Sequence, residues 1–335
     1  MTIKSITALS GNQYVNFTLK NTGNEKLWNF QKFDVMINYP ADISGVSTPR
    51  TERFSYADFL QNISLDSVSS DDDICITCNL SHTVAGTDKL LIVGISVGDD
   101  TSVNSLTYAG QGLTKIRADQ VLANDRRSEL WYLVNPTSGT ANVEATLSKN
   151  EKVIFAAISF NDVHQSYPIN VHNGAVDGSA TTNPSLSLTT TANNALIVDV
   201  VSAEGGPMTH GGSQTERWDL TRAQLVGSGS TRQTTAADSY TMSWTNDGGL
   251  DQWATSAVAL VPVVGDYCGP NGNIPTNKWT INSISSDYTD PDIINTNESA
   301  LICTKLAYPI FANGVVEITV STDGGRTANS SVTAP

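Results

Sequence analysis

The feature that most constrains the fold is a set of four almost continuously apolar runs of seven or eight residues, at 90–97, 153–160, 195–201 and 256–263. Their length and their β-branched residues are typical of strands buried on both faces, whereas a buried helix is usually longer. Elsewhere apolar and polar residues alternate, as in 14–20, 33–39 and 316–320, which is the period of a half-buried strand. The best helix candidate, 117–127, lacks a wide apolar stripe. The sequence therefore predicts an all-β protein.

The chain has 335 residues, which is too many for one ordinary core and enough for two. A coarse repeat lies in the middle, where 81–97 resembles 186–202 and 152–163 resembles 253–264, at a spacing of about 100 residues. One interpretation is a single large sandwich with pseudo-symmetric halves, and the other is two small sandwiches in tandem. The first is favoured because no linker-like stretch separates the halves.

The composition predicts an extracellular or cell-surface location. Charged residues make up 16% of the chain, against about 25% in a typical soluble domain, and Ser, Thr, Asn and Gly replace them. The net charge of −14 argues against binding to nucleic acid or to an anionic membrane. The sequence contains no apolar run of about 18 residues that could span a bilayer. Residues 1–12 do not resemble a signal peptide, so a targeting segment of an exported protein would lie upstream.

Two separated segments resemble the halves of one known module. The first, 14–40, is a strand, a turn at Asn21-Thr22-Gly23 and a second strand that ends at Asn38-Tyr39. The second, 277–328, carries Trp279, a loop with Asp287 and Asp290-Pro291, Asn297-Glu298, Pro309, Gly314-Val315-Val316 and 321–325. Together they resemble the ectodomain of the archaellum stator proteins F and G. They also resemble the related outer β-domain of archaellins and other archaeal pilin-like filament subunits.

This resemblance covers about 1–58 and 266–335 and implies a small Ig-like β-sandwich with a structural role. Stator proteins of this family anchor a filament to the cell envelope, and the filament subunits polymerise. The resemblance therefore implies partners among envelope or filament proteins, or self-association. The sequence departs from the family in lacking an apolar N-terminal helix and in carrying about 200 additional residues in place of a short loop.

The inserted segment, 59–265, resembles a concanavalin-like or lectin-type jelly-roll sandwich of secreted and phage-borne prokaryotic proteins. The resemblance lies in 90–97, 105–116, 129–147 and 156–169. It implies a fold and a surface location but no reaction. The predicted organisation is thus an Ig-like sandwich made of 1–58 plus 266–335, interrupted by a larger jelly-roll sandwich.

The four cysteines are disulfide candidates. Cys75 and Cys78 lie in a segment that reads as a strand, where their Cα atoms would be about 10 Å apart, beyond the disulfide limit of about 7 Å. They could bond to each other only if this segment turns. Because the chain has no second CxxC pair, zinc or redox chemistry is disfavoured. Cys268 and Cys303 lie in the same half of the Ig-like module and could clamp the chain where the insert returns.

Acidic loop residues are the only candidate metal ligands. Asp287, Asp290 and Asp292 could supply carboxylates to Ca²⁺, although the sequence has no EF-hand spacing and solvated turns are the alternative. No other cofactor is predicted. The segment 321–327 resembles an Asp-box without its Trp and predicts a hairpin turn in which Asp323-Gly324 supplies positive φ.

The sequence shows no catalytic constellation. The insert has few Glu residues, no paired-carboxylate strand signature and no G-x-S-x-G elbow, so the chain is predicted not to be an enzyme. Trp131 and Trp218 are candidate glycan contacts, provided that they are exposed. The first hypothesis is therefore a structural surface protein, with a carbohydrate-binding or adhesive module as the alternative and a secreted hydrolase third.

Overall fold

The computed structural model describes residues 1–8, 12–27, 30–56, 62–98, 100–121, 126–180, 182–263, 274, 276–285, 294–322 and 324–335. Within these ranges the chain forms 23 strands and one short 3₁₀ helix, Phe30–Lys32, which confirms the all-β prediction. The candidate helix at 117–127 is wrong, because its described residues lie in strands. Within the same ranges, no helix has the length and apolar content needed to cross a membrane.

The chain divides into two compact units, which we call unit 1 (Met1–Phe59 with Val264–Pro335) and unit 2 (Leu60–Val263). The described strands of unit 1 are the first four and the last four of the chain. They are β1 (Thr2–Ala8), β2 (Tyr14–Lys20), β3 (Asp34–Ile43), β4 (Val46–Tyr56), β20 (Lys278–Ser285), β21 (Ser299–Lys305), β22 (Val315–Ser321) and β23 (Thr327–Thr333). Their order is β1-β2-β21-β20-β4-β3-β22-β23, and only the short pairing of β20 with β4 is parallel.

The core of unit 1 combines strands from both ends of the chain. β2 pairs with β21, and β22 pairs with β3, so that Ile318 lies opposite Ile37. The alternating apolar residues of these strands point inward and surround Trp279, which is fully buried. Because each end of the chain supplies only part of this core, neither end could bury its apolar face alone.

The β3–β4 hairpin is the longest two-stranded element of unit 1. Its turn consists of Ser44 and Gly45, whose φ values are 55° and 82°. Two consecutive residues with positive φ define a type I′ turn, which matches the twist of a hairpin and favours glycine. The turn aligns the strands so that Pro40 lies opposite Pro49.

The described strands of unit 2 are β5 (Ser64–Val84), β6 (Leu90–Val97), β7 (Val103–Tyr108), β8 (Gln111–Gly112), β9 (Thr114–Val121), β10 (Arg126–Val134), β11 (Gly139–Asn161), β12 (Ile169–Asp177), β13 (Ser185–Thr189), β14 (Leu196–Glu204), β15 (Met208–His210), β16 (Thr215–Arg222), β17 (Leu225–Gln233), β18 (Ser239–Asn246) and β19 (Trp253–Leu260). We call 64–161 the first repeat and 169–260 the second repeat.

Both repeats have the same strand order in two layers. In the second repeat, the large layer is β12-β19-β14-β17-β16 and the small layer is β13-β18-β15. In the first repeat, β5 and β11 each bend and belong to both layers. Segment 64–73 of β5 and segment 153–161 of β11 form the large layer with β6, β10 and β9. The remaining segments of β5 and β11 form the small layer with β7 and β8. The repeat seen in the sequence is thus a repeat of topology.

The two repeats share one core between their large layers. This shared core contains Leu90 and Ile92 of β6 together with Val198 and Val200 of β14. The intervening residues of the same strands point the other way, into a separate inner core within each repeat. Strands buried on both faces are apolar at almost every position, which explains the four long apolar runs. The structure thus combines the pseudo-symmetric halves of one interpretation with the two sandwiches of the other.

Trp218 lies in this shared core and requires glycine beneath it. A Cβ atom added to Gly229 of β17 would overlap the Trp218 ring, and one added to Gly94 of the first repeat would lie 3.0 Å from it. The indole therefore occupies the space that two side chains would otherwise fill. This close approach lets the two large layers pack at their centre.

Candidate interaction surface

The outer face of β3, β4 and β22 in unit 1 carries a shallow groove of about 390 Å³. It is lined by residues of the three strands, namely Asn38, Tyr39, Pro40, Pro49, Arg50, Thr51, Val315 and Glu317. Part of the lining, which we call the floor, is apolar, because it contains Val315, which is 50% exposed, and the prolines Pro40 and Pro49, which lie opposite each other across the strand pair. A polar rim on an apolar floor is typical of a surface that binds another protein.

The polar rim of the groove is held in place by hydrogen bonds and stacking. Thr51 Oγ1 donates to Asn38 Oδ1 at 2.8 Å across the strand pair. On the opposite face of β4, where Tyr39 also lies, the Arg50 guanidinium is 4.8 Å from the centre of the Tyr308 ring, an arrangement that favours a cation–π contact. These contacts reduce the side-chain entropy that a partner would otherwise have to restrict on binding.

Behind the groove, Tyr39 anchors the strand pair to the loop before β22. Its hydroxyl donates to Glu52 Oε1 at 2.5 Å, and Glu52 Oε2 accepts from the backbone N–H of Ala307 at 3.0 Å. Burial and the bond to Glu52 raise the pKa of Tyr39 above its ordinary value. The phenol therefore stays protonated and serves as a structural donor.

The edges of the unit 1 sheet form a second surface suited to contact. β1 and β23 are the two ends of the strand order, and they lie next to each other without a described pairing between them. Ile3 and Ile6 of β1 and Val332 of β23 are only partly buried against the core. Unpaired edge groups next to half-buried apolar residues can accept a strand from a partner.

The two candidate glycan contacts are both buried, so that assignment is wrong for these residues. Trp218 is 4% exposed and lies in the shared core. Trp131 is 7% exposed and lies in the inner core of the first repeat, where its Nε1 donates to Glu129 Oε2 at 2.9 Å. Neither ring offers a face on which a sugar could stack. The sequence could not reveal this, because it does not show which other strands cover β10 and β16.

The candidate calcium ligands Asp287, Asp290 and Asp292 lie outside the described residues. Among the residues that the structure does describe, no three His, Cys, Asp or Glu side chains are grouped as metal ligands. Asp323 of the hairpin-turn prediction also lies outside them. The positive φ in that turn falls on Gly325, at 75°, and not on the predicted Gly324.

The cysteines Cys75 and Cys78 are bonded to each other, which corrects the expected strand geometry. Their Cα atoms are 5.6 Å apart because β5 bends between its two layers, where its register against β11 shifts. Both side chains therefore point into the inner core instead of to opposite faces. Cys303 is also disulfide-bonded, and its predicted partner Cys268 lies outside the described residues.

His82 connects the two layers of the first repeat through a buried chain of hydrogen bonds. Its Nδ1 lies 3.0 Å from Ser69 Oγ, and its Nε2 lies 3.1 Å from Ser159 Oγ. The Ser159 hydroxyl donates to Asp66 Oδ2 at 2.7 Å, so serine and not histidine occupies the middle of this chain. In a catalytic triad the histidine is central. Burial lowers the pKa of His82 to about 4, so the ring is neutral near pH 7.

Asp199 forms a second buried polar cluster, in the second repeat. Its Oδ1 accepts the Ser230 backbone N–H at 2.8 Å and the Ser230 hydroxyl at 2.7 Å. Its Oδ2 accepts the Trp244 Nε1–H at 2.8 Å. Burial raises the pKa of this carboxyl to about 6. Sequence reasoning missed the cluster, although one signal was present, an Asp inside the apolar run 195–201.

Two ion pairs join the repeats at the ends of their large layers. Arg126 bonds to Glu204 at 2.6 Å, and Arg222 bonds to Asp72 at 2.8 Å. Each pair takes its arginine from one repeat and its carboxylate from the other. These ion pairs help to orient one repeat against the other, because the hydrophobic attraction of the shared core has no preferred direction.

Comparison with known proteins identifies one region. Residues 1–79 match the family model described as conserved flagellar protein F, immunoglobulin-like domain. No curated protein matches the chain. A solved structure, an anti-sigma factor domain-containing protein, aligns over 91% of this chain and 97% of its own at 9% identity. The TM-score of this alignment is 0.14.

The matched residues include β1 to β4 of unit 1 and continue into β5 of unit 2. The sandwich that they begin is completed by β20 to β23 from the other end of the chain. The groove takes two of its three strands from the matched region. The N-terminal part of this chain is therefore similar to the Ig-like domain of conserved flagellar protein F.

Proposed function

We propose that this protein is a structural component of an archaellum-like or pilus-like filament, or of the envelope around it. Unit 1 contacts other envelope or filament proteins, and unit 2 is the displayed part. The observation that carries the proposal is the match to flagellar protein F over the strands that build most of the groove. The protein works by contact and display and is not an enzyme.

The groove and the two edge strands offer different modes of binding to a partner. The rigid prolines of the groove present apolar area that a partner can cover at little cost in conformational entropy. The edges of β1 and β23 can supply backbone hydrogen bonds to an added strand. Neither surface requires a cofactor, and the proposal includes no Ca²⁺. The carbohydrate-binding alternative is not carried forward, because the tryptophans on which it depended are buried.

Site-specific photocrosslinking in cells that make the protein tests this function. A photoreactive amino acid replaces Thr51 on the rim of the groove in one variant and Val315 on its floor in another. The matched control carries the same group at Thr140, an exposed strand position of unit 2. We expect adducts with an envelope or filament protein from Thr51 and Val315, and none from Thr140.

Cell fractionation provides a second readout for the same variants. We expect the protein to sediment with the envelope or with sheared filaments. The proposal is wrong if the protein is recovered free in the medium and neither groove position forms an adduct. Adducts from the control position alone would place the contact surface on unit 2 and would also contradict it.

A further inference from the structure

In the cluster around Asp199, one serine hydroxyl contacts both a carboxylate and a carboxamide. Ser230 Oγ lies 2.7 Å from Asp199 Oδ1 and 2.8 Å from Nε2 of Gln214. Asp199 and Ser230 are fully buried, and Gln214 is 7% exposed.

The carboxamide of Gln214 has a defined orientation. Its Oε1 accepts the backbone N–H of Ser243 at 2.7 Å, so its Nε2 must be the atom that faces Ser230. An amide donor at this oxygen polarises the carbonyl and would stabilise negative charge that develops on it. The nitrogen next to Ser230 is the atom that would leave.

Asp199 is held as an acceptor for the serine proton. The Trp244 indole N–H binds one carboxylate oxygen, and the Ser230 backbone N–H binds the other, so the carboxylate cannot rotate away from the hydroxyl. Burial raises the pKa of Asp199 to about 6, near the range in which a general base works best at neutral pH. Water is excluded from the cluster, which protects an acyl product from hydrolysis.

We propose that Ser230 and Gln214 react within the folded chain to form an ester cross-link. Ser230 Oγ attacks Cδ of Gln214 while Asp199 takes the hydroxyl proton. The Cδ–Nε2 bond then breaks, Asp199 returns the proton to the leaving nitrogen, and ammonia departs. One O–C bond replaces one C–N bond, and the step uses no oxidant, reductant or external co-reactant.

The cross-link closes the β16–β17 hairpin of the second repeat. Gln214 lies just before β16, and Ser230 lies on β17, the neighbouring strand of the large layer. The disulfide of the first repeat joins Cys75 and Cys78, which both lie on β5. An ester resists reducing agents, so this link between β16 and β17 would persist under conditions that reduce the disulfide within β5.

Intact mass spectrometry of the purified full chain, after reduction, tests the proposal. We expect a mass lower than that of the sequence by about 17 Da, the mass of the ammonia that leaves. Trypsin cuts after Arg217, Arg222 and Arg232, so Gln214 and Ser230 fall in separate peptides. Tandem spectra should show these two peptides joined. The inference is overturned if both are recovered unlinked at their sequence masses.

Matched variants separate this reaction from other losses of ammonia. Ser230→Ala and Asp199→Asn should abolish the cross-link, whereas Ser228→Ala, at a buried serine on the same strand, should keep it. Succinimide at an Asn-Gly pair such as Asn173-Gly174 causes the same mass loss. Mapping the whole loss to such a pair would also overturn the proposal. Because the wild-type peptides decide the result, a variant that fails to fold does not affect it.

Discussion

The two repeats of unit 2 share one strand order but hold their layers together differently. In the first repeat, β5 and β11 run through both layers, and a disulfide sits where β5 bends. In the second repeat, each of the equivalent strands is interrupted. Strands β12 and β13 take the place of β5, and strands β18 and β19 take the place of β11. The first repeat is thus tied through continuous backbone, and the second through loops.

The two repeats also use different buried polar groups to connect their layers. The first repeat joins its layers through neutral His82, and the second through Asp199 and Trp244. The apolar pattern of the central strands is common to both, whereas these polar ties are not. The comparison indicates that burial on both faces specifies the common strand order. Individual side chains then decide how the stability of each repeat depends on pH and on the state of the disulfide.

The largest effect should follow from removing the indole that both repeats share. Trp218→Ala leaves a cavity between the large layers and should cost about 3–5 kcal/mol in the free energy of unfolding. Hydrogen exchange should accelerate in β6 of the first repeat as well as in β17, because both strands contact this core. The control Leu250→Ala, at an exposed position, should change stability little. Unchanged exchange in β6 would contradict a shared core.

The second prediction is an opposite pH dependence of the two polar ties. The His82 pKa is lowered from 6.5 to about 4, so its contribution to stability is lost as the pH falls through that range. The Asp199 pKa is raised from 3.8 to about 6, so its contribution is lost as the pH rises. Each amounts to about 3 kcal/mol, and the two should largely offset each other between pH 4 and 6.

Urea unfolding at several pH values, in single variants, separates these slopes. Relative to the wild type, His82→Gln should lose stability as the pH rises from 4 to 6, because only the Asp199 term remains. Asp199→Asn should gain stability over the same range, because only the His82 term remains. Parallel curves for the two variants would show that neither group titrates as the structure indicates.

Removing the disulfide should affect the first repeat alone. The double variant Cys75→Ser with Cys78→Ser should cost about 2 kcal/mol by the loop-entropy relation for so short a loop. Faster hydrogen exchange should be confined to the bend of β5 and to the β11 residues opposite it. Equal acceleration in β14 and β17 would show instead that the two repeats do not respond separately.

The smallest effect concerns the ion pairs between the repeats. The Arg222 and Asp72 side chains are 40% and 27% exposed, so Arg222→Ala should cost only about 0.5 kcal/mol and less in high salt. Arg126→Ala should cost more, because the pair with Glu204 is less exposed. Denaturation at two salt concentrations measures both. The reverse ranking would mean that exposure does not set the strength of these pairs.

Much of the fold followed from local pattern, whereas the site residues did not. The alternation in 14–20 and the apolar run at 90–97 correctly predicted a one-sided and a two-sided strand, because each reflects the period of the backbone. Trp131 and Trp218 were candidate glycan contacts only if exposed, and the sequence does not show what covers a strand face. The strand geometry expected at Cys75 was wrong, because β5 bends where it pairs with β11, which is far away in sequence.

By itself, the sequence determined the all-β class and the repeat in the middle of the chain, since side-chain periodicity and spacing are local properties. It also carried the resemblance to flagellar protein F in its N-terminal residues. Only the tertiary structure decided that each repeat is a sandwich with its own core, that both share a third core, and that Asp199 meets Ser230 and Trp244. These contacts join residues tens of positions apart, and they depend on how the sheets stack, which no local pattern encodes.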